Sequence, residues 1–178
     1  AYLSKDYLKS LEWYKLLKDR ASTPERRQLA ATGMLRSAAM TNNGEETILA
    51  ATAVLADAKV DPELENEARH YRSKALVEAG QMKHAIEDWK VLAKDTRNVY
   101  GAEGKYLLGQ LYYDTRQYDK AEQEVLDYIS VSTPHSYWLA RSFILLSDVY
   151  LKKEKYIEAK QYLLSLKQSY QASDDIAA

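Results

Sequence analysis

The feature that most constrains this chain is a repeat. Three windows align column by column: "YRSKALVEAGQMKHAIEDWKVL" (71–92), "LLGQLYYDTRQYDKAEQEVLDY" (107–128) and "LLSDVYLKKEKYIEAKQYLLSL" (145–166). A small residue recurs at Ser73, Gly109 and Ser147, and an alanine twelve positions later at Ala85, Ala121 and Ala159. Four positions further on stands a large apolar residue, Trp89, Val125 or Leu163. The steps between windows are 36 and 38 residues. A period of this size marks stacked supersecondary units, each unable to bury its apolar face alone.

A weaker copy lies upstream. "LRSAAM" (35–40) sets Ser37 one 36-residue step before Ser73. If the turn at 41–44 is one residue longer, Ala50 and Val54 take the alanine and large-apolar columns. Each unit reads as two helices. Apolar residues at three and four spacing, as in Tyr106, Leu107, Leu111 and Tyr112, form one face of a 3.6-residue period. Pro24, Pro62 and Pro134 follow Thr23, Asp61 and Thr133, the pattern of a proline in the first turn behind a capping side chain. No other proline interrupts the chain, and six glycines in 178 residues leave the sequence predominantly helix-forming. The small columns fit a close crossing of two helices, where a larger side chain would hold the backbones apart.

Small residue, aromatic, turn, tyrosine and alanine together, clearest in "LLGQLYYDTRQYDKA" (107–121), resemble the tetratricopeptide repeat (TPR). The resemblance extends over nearly the whole chain. "DTRNVYGAEGKYLLGQLYYD" and "TPHSYWLARSFILLSDVYLKK" are further similar to the C-terminal region of large TPR proteins of Bacteroidetes-type bacteria. It implies an all-α protein, a right-handed superhelix (α-α solenoid) of about four TPR-like helix hairpins plus one half-unit at the N-terminus. As one array over 1–178, residues 1–20 read as the second helix of a truncated unit and 23–60 as an irregular unit. Units follow at 61–97, 98–133 and 134–172, and 173–178 is either a tail or the start of a cut helix. In register with the third unit, Tyr2 falls beside Tyr113 and Tyr7 beside Tyr118, so residues 1–3 are expected to be the last turn of a first helix. The chain then reads as a fragment of a longer array.

The same resemblance implies a non-enzymatic scaffold whose first helices line a groove for a protein or peptide. The groove candidates are His70, Lys74, Tyr106, Gln110, Tyr113, Arg141, Asp148 and Lys152. Tyr106 and Tyr113 are either groove anchors or packing between units. The alternative function is a structural spacer in a longer envelope-associated repeat protein. A periplasmic or outer-membrane-associated location is implied by the resemblance alone.

Charge and motif narrow the chemistry. Lysine plus arginine number 25 against 26 acidic residues, interspersed rather than blocked, so no basic stripe offers itself to nucleic acid. No apolar run approaches the roughly 18 residues of a membrane span. Without cysteine, thiolate metal sites are excluded, and His70, His84 and His135 lack ligand spacing. Residues 101–104, "GAEG", have neither dinucleotide nor P-loop spacing, and no serine-nucleophile motif occurs. No cofactor is expected. Three charges interrupt apolar columns: Arg36 and Arg72 where later units have Leu108 and Leu146, and Asp57 in the column of Leu92, Tyr128 and Leu166. Either Asp57 pairs with Arg72 or Arg36 and locks two units together, or these side chains reach solvent.

Overall fold

The computed structural model describes residues 5–131 and 133–176, and every regular element among them is an α-helix. In order these are α1 (Tyr7–Arg20), α2 (Pro24–Met40), α3 (Gly44–Leu55), α4 (Pro62–Glu78), α5 (Met82–Leu92), α6 (Val99–Asp114), α7 (Tyr118–Ile129), α8 (Ser136–Lys152) and α9 (Tyr156–Ser169). Asp6, Thr23, Asn43, Asp61 and Asn98 cap α1 to α4 and α6, each accepting a backbone N–H from the first turn. Pro24 and Pro62 open α2 and α4 as anticipated. Pro134 does not open α8, which begins at Ser136; in the turn ahead of it the His135 N–H donates to Thr133 Oγ1 at 3.2 Å. The Thr133 hydroxyl donates to the Thr96 carbonyl at 3.1 Å, and His135 Nε2 lies 2.9 Å from the Arg97 carbonyl. The turn before α8 is thereby fastened to the turn before α6, and the helix starts two residues later.

The turn inside each hairpin is one backbone motif used repeatedly. Asn42, Gly80, Arg116 and Glu154 take left-handed φ angles of 52°, 72°, 58° and 58°. The next N–H bonds back five residues in every case: Asn43 to Ala38, Gln81 to Leu76, Gln117 to Tyr112 and Lys155 to Tyr150. This is the Schellman closure, which suits glycine and strains other residues by roughly 1 kcal/mol. Glu154→Gly is accordingly expected to stabilise the chain by about 0.5–1 kcal/mol and to raise the melting temperature by about 2–4 °C. A lowered melting temperature would refute the strain. Lys5, with φ of 59°, stands two residues before α1 as Arg116 stands before α7. The expected helical turn at residues 1–3 lies outside the described residues.

This recurring turn resets the register of the irregular unit. Ser73, Gly109 and Ser147 each precede the left-handed residue by seven positions, whereas Ser37 precedes Asn42 by five. Leu35, not Ser37, therefore takes that column. Counting forward, Thr47 and Ala51 replace Ala50 and Val54 in the alanine and large-apolar columns. Burial supports the shift: Thr47, Ala50, Ala51 and Val54 are all buried, as are Ala85, Asp88, Trp89 and Leu92.

The chain divides into two compact units, Ala1–Asp88 and Trp89–Ala178. In the first, successive helices α1 to α4 pack on one another and α2 also meets α4. Leu11, Leu35, Ala51, Val54 and Ala68 lie in its core. In the second, α6 to α9 repeat the scheme, with α6 also meeting α8, around Tyr106, Val125, Leu145, Leu146 and Tyr150. Gly109 shows why the small column exists: a Cβ there would stand 2.9 Å from Val125 Cγ2.

The charge lock proposed for Asp57 is corrected. In the new register Asp57 matches Asp95, not Leu92, and both sit in the turn after a second helix. Asp57 Oδ1 accepts the Lys59 N–H at 2.9 Å, and Asp95 Oδ1 accepts the Arg97 N–H at 3.1 Å. Arg72 instead grips Asp88 through Nε and Nη2 at 2.8 and 2.7 Å, and Arg69 Nη1 reaches the same carboxylate at 3.1 Å. Arg36 makes a two-pronged pair with the buried Glu67 at 2.8 and 2.7 Å. The positions of Arg69 and Asp88 hold a matched pair in each later hairpin. Lys105 meets Glu124 at 2.7 Å, and the Phe143 and Tyr162 rings meet edge-on at 5.7 Å. In α2 and α3 the same two positions are Ala31 and Ala50, with Met34 in the place of Arg72. These three residues line an open cavity of about 430 Å³.

Candidate functional site

The exposed side of α6 and α8 gathers the polar groups most suited to recognition. Helical spacing puts Tyr106, Gln110 and Asp114 of α6 on one face, four residues apart. The Tyr106 hydroxyl donates to Gln110 Oε1 at 3.0 Å, and Gln110 Nε2 donates to Asp114 Oδ1 at 2.8 Å. From α8, Arg141 Nη1 donates to the Tyr137 hydroxyl at 3.0 Å and Nη2 to the Tyr106 hydroxyl at 3.4 Å. The guanidinium also lies over the Tyr106 ring, 5.2 Å from its centre. Hydrogen bonds to Tyr106 and Tyr137 raise the Arg141 pKa, so its charge is fixed at any working pH.

Tyr106, Gln110, Arg141 and Asp148 line one cavity of about 300 Å³, with Ile144 and Leu145 as its apolar part. Asp175 and Ile176, from the segment after α9, close it on another side. Residues 173–176 form a bend and a turn rather than a helix. Tyr106 divides its side chain between packing and the cavity. Its ring is buried against Trp138, with centres 5.5 Å apart, while its hydroxyl faces the cavity groups. Tyr113 is half-buried one turn beyond Gln110, its ring 5.7 Å from that of Tyr118. Lys152 is exposed at the end of α8, one turn past Asp148. His70 and Lys74 lie on α4 in the other compact unit. His70 is half-buried with its ring against Tyr71 at 5.3 Å, and Lys74 is exposed.

Sequence reasoning overlooked Tyr137, Trp138, Asp175 and Ile176. The four-residue spacing of Tyr137 and Arg141 on one helix was a usable signal. Nothing local marks Asp175, whose place depends on the chain folding back.

Asp148 is the electrostatic anomaly of the cavity. Burial raises its carboxyl pKa, and Lys152 only partly opposes the shift. A raised folded-state value means that the neutral form is favoured by folding. That contribution is full below the ordinary carboxylate range and is lost as pH rises through the folded value. Asp148→Asn is therefore expected to raise the melting temperature at pH 7 and to leave it nearly unchanged at pH 3. Equal effects at the two pH values would contradict this.

Among the described residues, no group of three or more His, Asp or Glu side chains is placed to hold a metal ion. No helix among them is long and apolar enough to cross a membrane.

No protein-family model matches the chain, and comparison with curated proteins gives no significant match. Among solved structures it is similar to a Podospora anserina protein described as a kinesin light chain with nearly identical TPR-like repeats. The TM-score is 0.65 at 14% sequence identity, over 93% of this chain and 87% of that one. At that identity the likeness concerns the fold, and the fold is a TPR-like helical repeat.

Proposed function

We propose that this chain is a non-enzymatic interaction scaffold that takes a peptide or protein segment at the α6/α8 cavity. The observation carrying the reading is the cavity itself, in which the half-buried Asp148 carboxylate stands beside the apolar Ile144 and Leu145. Gln110 and Arg141 add hydrogen-bond donors at the same cavity, a pattern of few polar groups over an apolar floor that suits a binding site. TPR-like folds commonly serve protein recognition, which agrees with this chemistry. The spacer alternative draws support from Tyr106, whose ring is occupied in packing and is not available as an anchor.

Selection of displayed peptides on the intact chain, followed by counter-screening, separates the two. Peptides enriched on the intact chain are expected to bind the Asp148→Asn, Gln110→Ala variant at least tenfold more weakly, although that variant melts no lower. If no peptides enrich, or if enriched peptides bind both proteins equally, the spacer reading prevails.

A further inference from the structure

The segment after α9 folds back onto α8. The Tyr170 hydroxyl and the Ile176 N–H both bond to the Asp174 carboxylate, closing a short turn. This turn presents the next two side chains to the cavity. Asp175 Oδ2 accepts from Arg141 Nη1 at 3.3 Å, and the half-buried Ile176 lines the cavity with Ile144 and Leu145. Proximity of Asp174 and Asp175 is felt at Tyr170, whose hydroxyl pKa is pushed up to about 12, first by its hydrogen bond to Asp174.

We propose that residues 170–176 are a built-in occupant of the α6/α8 cavity and compete there with a partner segment of the same chemistry, an acidic residue followed by an aliphatic one. The partner chemistry rests on the binding-site reading above; the occupancy rests on the contacts just described. Among the described residues that line the cavity Arg141 is the cation, so it is the group that reads a carboxylate. Asp148 follows Arg141 by seven residues, about two helical turns along the same face. It would repel a second acid at that end, so a suitable partner is acidic at one end only. The hold is weak because it is open to water: Asp175 is 63% exposed, and such pairs contribute at most about 1 kcal/mol. A tethered segment nevertheless competes at an effective concentration on the order of millimolar, so an incoming peptide meets an occupied site.

The test uses the peptide YQASDDIAA, the sequence of residues 170–178, and the control YQASKKIAA. Each is titrated into the intact chain and into an Asp175→Lys, Ile176→Asp variant, with binding followed by amide chemical shifts. The acidic peptide is expected to bind the variant about threefold to sixfold more tightly than the intact chain. Adding Arg141→Glu to the variant is expected to transfer the preference to the control peptide. Equal affinity of the acidic peptide for intact and variant chains overturns the occupancy and leaves the binding-site reading intact. No binding by the variant, or no change of preference with Arg141→Glu, overturns the proposed chemistry. Peptide selection against the Asp148→Asn, Gln110→Ala variant then decides the broader reading separately.

Discussion

Asp88→Ala is expected to cost about 3–5 kcal/mol of folding stability, measured as a lower midpoint in urea. The carboxylate is only 1% exposed and answers two arginines at once. Its removal leaves Arg69 and Arg72, both mostly covered, with the more exposed Glu65 still beside Arg69 and the neutral Thr52 hydroxyl beside Arg72. The size of the loss does not mean that the cluster is strongly stabilising. Bringing the charges out of water has already offset much of their attraction, so an apolar replacement of similar shape is often neutral or better. The chain contains that replacement. Its last hairpin has Phe143, Leu146 and Tyr162 where α4 and α5 have Arg69, Arg72 and Asp88. The triple variant Arg69→Phe, Arg72→Leu, Asp88→Tyr should therefore recover most of the stability lost in Asp88→Ala. A triple variant no more stable than the single one would show that the columns are not equivalent.

Gly101→Ala is the second large effect. Alanine in a helix ordinarily improves on glycine by roughly 0.5–1 kcal/mol. Here the sign reverses, because an added Cβ would stand 1.9 Å from the Asp95 carbonyl oxygen and 2.7 Å from that of Leu92. Both obstacles are backbone and neither can swing aside. A loss of about 3 kcal/mol is expected, at the upper end for overpacking. Gly44→Ala supplies the control, since the nearest atom to its Cβ position is 4.0 Å away. It should gain up to about 1 kcal/mol in the same assay. A neutral Gly101→Ala would mean that the turn at 95–98 can lift off α6.

Helix starts were legible because caps are local: Thr23 and Asp61 announce α2 and α4 from the adjoining residue. The hairpin turns at Gly80, Arg116 and Glu154 fall in one column of the aligned windows, although only Gly80 is of the residue type that favours a left-handed φ. The register slipped at Asn42, which follows Ser37 by five residues rather than seven, and the pairing of Asp57 with Arg72 or Arg36 slipped with it. Asp88 escaped notice because its role depends on which face of α5 turns inward toward α4. The cavity was half visible. Tyr106, Gln110, Arg141 and Asp148 were among the positions that the repeat resemblance implies for the groove, and they line one cavity. Asp175 and Ile176 reach it through a chain reversal more than thirty residues downstream of Arg141, which no local pattern encodes.

The paired columns have an evolutionary consequence. Arg69 with Asp88, Lys105 with Glu124, and Phe143 with Tyr162 each lie wholly within one hairpin. A gene segment encoding one hairpin that is copied and inserted brings both halves of its lock along. The new hairpin closes on itself whatever type of lock its neighbours use. Hairpins with ionic and aromatic interiors can therefore stand side by side in one chain, and only the pairs between hairpins, such as Arg36 with Glu67, need to be matched anew.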